Sequence, residues 1–233
     1  MSKEPLLLLP GLLCDETVWQ HQIQDLADIS DVLVPDYRDC DSMAAMAEKV
    51  LAMVPGNFSL AGHSMGARVA MEVVRMAPKR INRLALLDTS VVPSNSTETG
   101  KRLALQERTR THGIELLVQE WLPPMVHPAR LGDAQLMEPL KAMIRRMTLA
   151  QYEGQIRALI TRPEIADLLP QITCSTIVLC GRQDSWRTPE AHAEWACKIP
   201  GIRFFVIEHC GHMAPCEQPE VVSAELRKWL LRE

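Results

Sequence analysis

An α/β fold, with about six mostly parallel strands flanked by helices, is the architecture this sequence predicts. Three observations point to it. Short apolar runs alternate along the chain with segments of helical period, the rhythm of strands joined by crossover helices. The runs are continuously apolar, which suits strands covered on both faces. The 233 residues, 47% hydrophobic and 23% charged, have the composition of an ordinary folded domain.

The six apolar runs are residues 6–9, 32–34, 58–61, 84–87, 176–180 and 204–207. Between the second and third, Met43, Ala47, Val50, Leu51 and Val54 share one helical face, with Asp41 or Ser42 placed as N-cap. After the third run, Ala70, Val73, Val74 and Ala77 repeat at helical spacing until Pro78 stops the helix. A final helix opens with Pro219 and turns Val222, Leu226, Trp229 and Leu230 inward. From residue 92 to 170 the rhythm breaks. No convincing strand occurs there, and helix-like segments are separated by Pro123-Pro124, Pro128, Gly132, Gly154 and Pro163. Residues 92–170 therefore read as a helical insertion after the fourth strand, with 1–91 and 171–233 forming the core.

Composition excludes several classes of partner. The 25 Lys+Arg against 29 Asp+Glu give a net charge of -4, and no basic run reaches beyond two residues, so nucleic acid is not expected. Residues 5–14 (PLLLLPGLLC) could pass for a signal peptide. However, Lys3 is offset by Glu4, Pro10 and Gly11 interrupt the run, and no small-residue cleavage site follows. They read as a buried strand and a turn. No apolar stretch approaches the roughly 18 residues of a membrane span. Seven cysteines, an odd number without a CxxC pair, suit reduced thiols and a cytoplasmic compartment.

The strongest chemical signal is Gly62-His63-Ser64-Met65-Gly66, between a strand and a helix. A sharp strand-to-helix turn holds the serine in a strained conformation with its hydroxyl presented, and the flanking glycines remove Cβ clashes. A hydroxyl is a poor nucleophile at neutral pH, so a base must take its proton and a carboxylate must orient that base. In an open parallel sheet these come from loops beyond the carboxyl ends of later strands. Two loops qualify: Gly181-Arg182-Gln183-Asp184 and Glu208-His209-Cys210-Gly211-His212.

His212 is the expected base, because it follows Gly211 in a loop long enough to curl back over Ser64; His209 is the alternative. His21, His112, His127 and His192 lie in helical or inserted segments that suit surface or capping roles, and His63 fills a variable elbow position. Asp184 is the expected acid. Asp88, at the end of the fourth run, is better explained by hydrogen bonds that terminate its strand. The tetrahedral oxyanion needs two main-chain donors, each worth about 10²- to 10³-fold in rate. Met65 and Leu12, the latter in the turn after the first strand, are placed to supply them.

The pieces Leu8-Leu9-Pro10-Gly11-Leu12, Ala61 to Gly66, Gly181-Arg182-Gln183-Asp184-Ser185-Trp186 and Gly211-His212-Met213-Ala214-Pro215-Cys216-Glu217 occur in one order across nearly the whole chain. In this the sequence resembles the α/β-hydrolases, of the lid-bearing cytosolic bacterial esterase type. The resemblance implies that Ser64, Asp184 and His212 are nucleophile, acid and base, and that the insertion is a lid. Three departures stand out: Pro10-Gly11 where relatives carry His-Gly, no glycine-rich turn at residues 35–40, and no amino-terminal antiparallel hairpin.

The leading expectation is therefore a serine hydrolase of small carboxylic esters, without metal or cofactor, acting as a monomer or homodimer. Lactone or carbon–carbon bond cleavage with the same triad is the alternative; Arg108, Arg110, Arg145, Arg146 or Arg157 could then receive a substrate carboxylate, and solvated helix faces explain them equally well. A non-catalytic binding module is a third reading. A metal site from His209, Cys210, His212 and Cys216 is a fourth, although it would consume the base. Trp121 and Trp186 are candidates to line an acyl pocket, and ordinary packing explains them equally well.

Overall fold

The computed structural model describes residues 3–231. Six strands, β1 (Glu4–Leu9), β2 (Ser30–Leu33), β3 (Phe58–His63), β4 (Ile81–Leu87), β5 (Ser175–Gly181) and β6 (Arg203–Ile207), form one sheet in the order β2-β1-β3-β4-β5-β6. Each predicted run falls within or overlaps one of them. Every pairing is parallel, so the sheet is wholly and not merely mostly parallel, and no antiparallel hairpin precedes β1 among the described residues. In β1, Leu6, Leu7, Leu8 and Leu9 are all fully buried. Successive strand residues point to opposite faces, so both faces are covered there.

The core helices are α1 (Gln20–Asp25), α2 (Met43–Met53) and α3 (Met65–Met76). Ser42, not Asp41, caps α2, its hydroxyl accepting from the Ala45 amide. Ten of the twelve residues of α3, Met65 to Val74, are buried, which makes it the central helix behind the sheet.

Between β4 and β5 lie α4 (Ser96–His112), α5 (Glu115–Glu120), α6 (Ala134–Arg145) and α7 (Leu149–Ile160), with single 3₁₀ turns at 123–125, 128–130 and 166–171. Asn95 caps α4, and Thr148 with Gln151 forms a capping box on α7. Leu117, Trp121, Met143 and Ile156 join the same apolar cluster as the sheet, so these helices pack onto the core. The chain closes with α8 (Pro189–Ala196), α9 (Ala214–Glu217) and α10 (Pro219–Leu230). No helix among the described residues is long and apolar enough to cross a membrane.

Candidate active site

The parallel register brings the carboxyl ends of β3, β4, β5 and β6 to one edge. His63 pairs with Leu87, and Gly181 with Ile207, so the residues that follow each strand converge. Ser64 sits at φ 55° and ψ -114°, a strained conformation for a residue with a side chain. Hydrogen bonds hold it there: its amide donates to Leu87 O at 2.8 Å, and the Thr89 hydroxyl donates to its carbonyl at 2.9 Å. The glycines are required by space. A Cβ on Gly66 would stand 2.1 Å from Leu9 O, and one on Gly62 2.5 Å from Gly66 O.

His212 Nε2 lies 2.8 Å from Ser64 Oγ, and its Nδ1 lies 2.6 Å from Asp184 Oδ2. An ionised carboxylate only accepts, so Nδ1–H donates to Asp184 and Nε2 is left to accept from the serine hydroxyl. The second oxygen of Asp184 accepts from the Trp186 and Arg187 amides at 2.8 and 2.9 Å. Burial works to raise this carboxyl, but the His212 imidazole and the two amides outweigh it and hold it below its ordinary value. Asp88 is elsewhere engaged. Its Oδ1 accepts from the Gly181 amide at 2.9 Å, and burial together with Asp184 pushes its carboxyl well up.

The turn after β1 carries Leu12, with Leu13 at φ 60°. The Leu12 and Met65 amides are not taken up by a hydrogen bond to another described residue, and both residues line the pocket with Ser64 and His212. Two distant side chains support this turn. The Tyr37 hydroxyl donates to Pro10 O, and Gln155 Oε1 of α7 accepts from the Leu13 amide at 2.9 Å. The segment at 35–40 that lacks a glycine-rich turn is thus the one that supplies Tyr37.

Two further buried groups hold the histidine loop. His63 Nε2–H donates to His212 O at 2.7 Å, and burial, with His212 nearby, depresses the His63 imidazole to about 3. Glu217 accepts from the amides of Gly211, Met213 and His127, the last at 2.7 Å, while the His212 amide donates to Met125 O at 2.7 Å. These bonds fasten residues 125–127, between β4 and β5, to the loop that carries His212.

The sequence profile of the alpha/beta hydrolase family matches residues 6–225. The chain belongs to that family. A solved esterase from Thermogutta terrifontis, studied with malate bound, superposes with a TM-score of 0.93 at 31% identity, covering 98% of this chain and 90% of that one. The pimeloyl-[acyl-carrier protein] methyl ester esterase of Nitrosomonas europaea is 26% identical over 92% of this chain and 91% of its own length. The (E)-2-((N-methylformamido)methylene)succinate hydrolase of Acinetobacter baylyi is 24% identical over 97% and 90%.

In this member of the family, an inner pocket of about 40 Å³ holds Leu12, Ser64, Met65, Trp121, Trp186 and His212 on its walls. A larger cavity of about 610 Å³ shares Leu12, Arg102, Trp121, Trp186 and Arg187 with it. The two tryptophan rings meet edge to face at 6.5 Å, and Trp186 lies 6.2 Å from the His212 ring.

The structure bears on several readings that the sequence left open. Arg108, Arg110, Arg145, Arg146 and Arg157 are about half exposed and engaged by Glu120, Glu107 with Glu153, Glu115, Asp15 and Asp41 respectively. None lines either cavity. The arginines that do are Arg68, Arg102, Arg162 and Arg187. Their sequence signal was slight: Arg68 stands one helical turn after Ser64, and Arg187 three residues after Asp184. His192 is fully buried, its Nε2 accepting from the Thr89 amide at 2.9 Å, so it braces the loop after β4 instead of facing solvent. His127 caps a turn by accepting from Ala129. Burial raises the Cys210 and Cys216 thiols, Cys216 to about 12, which disfavours the thiolate at both positions. Among the described residues no cluster of His, Cys, Asp or Glu is arranged to hold a metal ion, and the ring of His212 is directed to Ser64 and Asp184.

Proposed function

We propose that the protein hydrolyses small carboxylic esters by acyl transfer through Ser64, with His212 as base and Asp184 as its orienting acid. One observation carries this: the continuous hydrogen-bonded line from Ser64 Oγ through the His212 ring to Asp184, at 2.8 and 2.6 Å. Ser64 Oγ attacks the ester carbonyl as its proton passes to His212 Nε2, and Asp184 steadies the imidazolium. The oxyanion is received by the Leu12 and Met65 amides. The imidazolium then protonates the departing alcohol, leaving an acyl group on Ser64. Water, deprotonated by His212, displaces that group as the free acid, and the proton returns to Ser64. A lactone opens by the same steps with its alcohol still tethered.

Trp121 and Trp186 wall the acyl site in this reading, and residues 92–170 serve as its lid. The seven unpaired cysteines support a reducing, cytoplasmic setting. A p-nitrophenyl ester panel with a lactone and a vinylogous diketone added, run on wild type and Ser64→Ala, tests the reading. The alanine variant is expected to lose turnover by about 10⁴-fold or more. Ester turnover by Ser64→Ala at the wild-type rate would sink it.

A further inference from the structure

The charge around the catalytic cavity is unbalanced. Arg68, Arg102, Arg162 and Arg187 stand on the wall of the inner pocket, and Arg102 and Arg187 on that of the larger cavity as well. Among the described residues, Glu98 is the one carboxylate within ion-pair distance of any of the four, with Glu164 and Asp184 acting on Arg68 and Arg187 from farther away. Arg162 takes Glu98 through two bonds at 3.0 and 2.7 Å, and Arg102 donates to it at 2.9 Å. Arg68 is spent on the carbonyls of Ser90 and Pro163. Arg187 donates to Trp186 O at 2.8 Å and approaches Glu98 no closer than 3.8 Å.

The other acid on the wall, Asp88, faces away from them in its bonding, its Oδ1 accepting from the Gly181 amide at 2.9 Å, and burial raises its carboxyl. Burial, with Arg162 beside it, lowers Arg68 to about 9, which still leaves it charged at neutral pH. Half-buried guanidiniums without a full complement of anions are a costly arrangement unless a ligand completes them. The planar guanidinium fork matches a carboxylate.

We propose that Arg102 and Arg187, backed by Arg68 and Arg162, form a carboxylate-binding subsite that selects esters and lactones bearing a free acid group. The inference rests on Ser64 being the nucleophile, because the subsite is defined by its place beside that residue. The substrate's acid group lies against Arg187 and Arg102 while its ester carbonyl reaches Ser64. Arg102 and Arg187 are specificity residues here and take no part in bond making.

Two measurements separate this subsite from the ester reading itself. In the first, glutarate and its neutral analogue glutaramide are titrated calorimetrically into wild type, Arg187→Gln, Arg102→Gln and Arg187→Lys. Glutarate is expected to bind wild type and glutaramide not. Each Gln variant should weaken glutarate about tenfold or more, and Arg187→Lys should recover part of the loss. Equal binding of glutarate and glutaramide, or wild-type glutarate affinity in both Gln variants, overturns the subsite. In the second, kcat/KM is compared for monomethyl and dimethyl glutarate. Wild type should favour the monoester at least about tenfold, and the ratio should fall toward one in Arg187→Gln. A wild-type ratio near one with both esters turned over rejects the subsite and leaves the esterase. Glutarate binding as described with neither ester turned over keeps the subsite and rejects the esterase.

Discussion

Ser64 and His212 of the cavity wall and Asp184 hold one another at 2.6 to 2.8 Å, whereas the four guanidiniums on the same wall have Glu98 alone within ion-pair distance among the described residues. The first set is finished without a ligand. Its serine is locked at a positive φ, Asp184 is satisfied by two amides, and the Leu12 and Met65 amides proposed to receive the oxyanion are not taken up by a described residue. Charge that develops in the reaction meets groups already in place, which is what electrostatic preorganisation requires. The second set is left incomplete, and that is where a substrate can contribute binding energy. In the reading proposed above, the first set of groups carries the reaction and the second selects the molecule.

The largest effect on stability should come from around the preorganised set, through His63. Its folded value near 3 lies below the ordinary histidine value of 6.5, so folding favours the neutral ring. That contribution is present in full above about pH 6.5 and is lost as pH falls toward 3, with a slope of up to about 1.4 kcal/mol per pH unit. His192, held below its ordinary value mainly by burial, acts with the same sign. Urea unfolding from pH 7.5 to 4.5 should therefore fall less steeply for His63→Gln than for wild type. Parallel curves would mean that the buried ring does not couple folding to pH.

A smaller effect is expected where residues 125–127 meet the histidine loop. Glu217→Ala leaves the amides of His127, Gly211 and Met213 without their acceptor. At about 1 kcal/mol for each buried donor, the loss is roughly 3 kcal/mol, or about 6 to 12 °C in melting temperature. A fall in kcat should accompany it, because the same loop aims His212. Glu217→Gln, which keeps one acceptor oxygen, should lose less of both. An unchanged melting temperature in the alanine variant would show that the insertion does not brace the histidine loop.

The smallest effects belong to the outer face of the insertion. Arg108, Arg110, Arg145, Arg146 and Arg157 sit in exposed pairs, and surface pairs contribute little. Replacing each by Gln should leave the melting temperature close to wild type and the monoester-to-diester ratio at its wild-type value. A changed ratio in any of the five would erase the distinction between inner and outer arginines.

The same division governs what the sequence could reveal. The elbow, Asp184 and His212 were legible because each follows a strand within a few residues, and a parallel sheet must bring those ends together. The six strands were legible as apolar runs. Tyr37, Gln155 and Glu98 were not, because each reaches the site from an element far away in the chain, and no local period marks a side chain that hydrogen-bonds across the fold. The five arginines that the sequence left open between a substrate role and a solvated face turn out to be surface pairs, and the sequence could not decide it for a related reason. A count of charges along residues 92–170 cannot show which of them face acidic partners on neighbouring helices. His192 was hidden by its helix, since a histidine in a polar-looking segment gives no sign that it braces a buried turn.

Acyl transfer through Ser64 is tested most directly by quenching the protein during turnover of p-nitrophenyl acetate and mapping its peptides by mass spectrometry. An acetyl group should be found on the peptide that bears Ser64, and it should be absent from the Ser64→Ala protein. Steady turnover with Ser64 never acetylated and unreactive toward a serine-directed phosphonate would be incompatible with that chemistry.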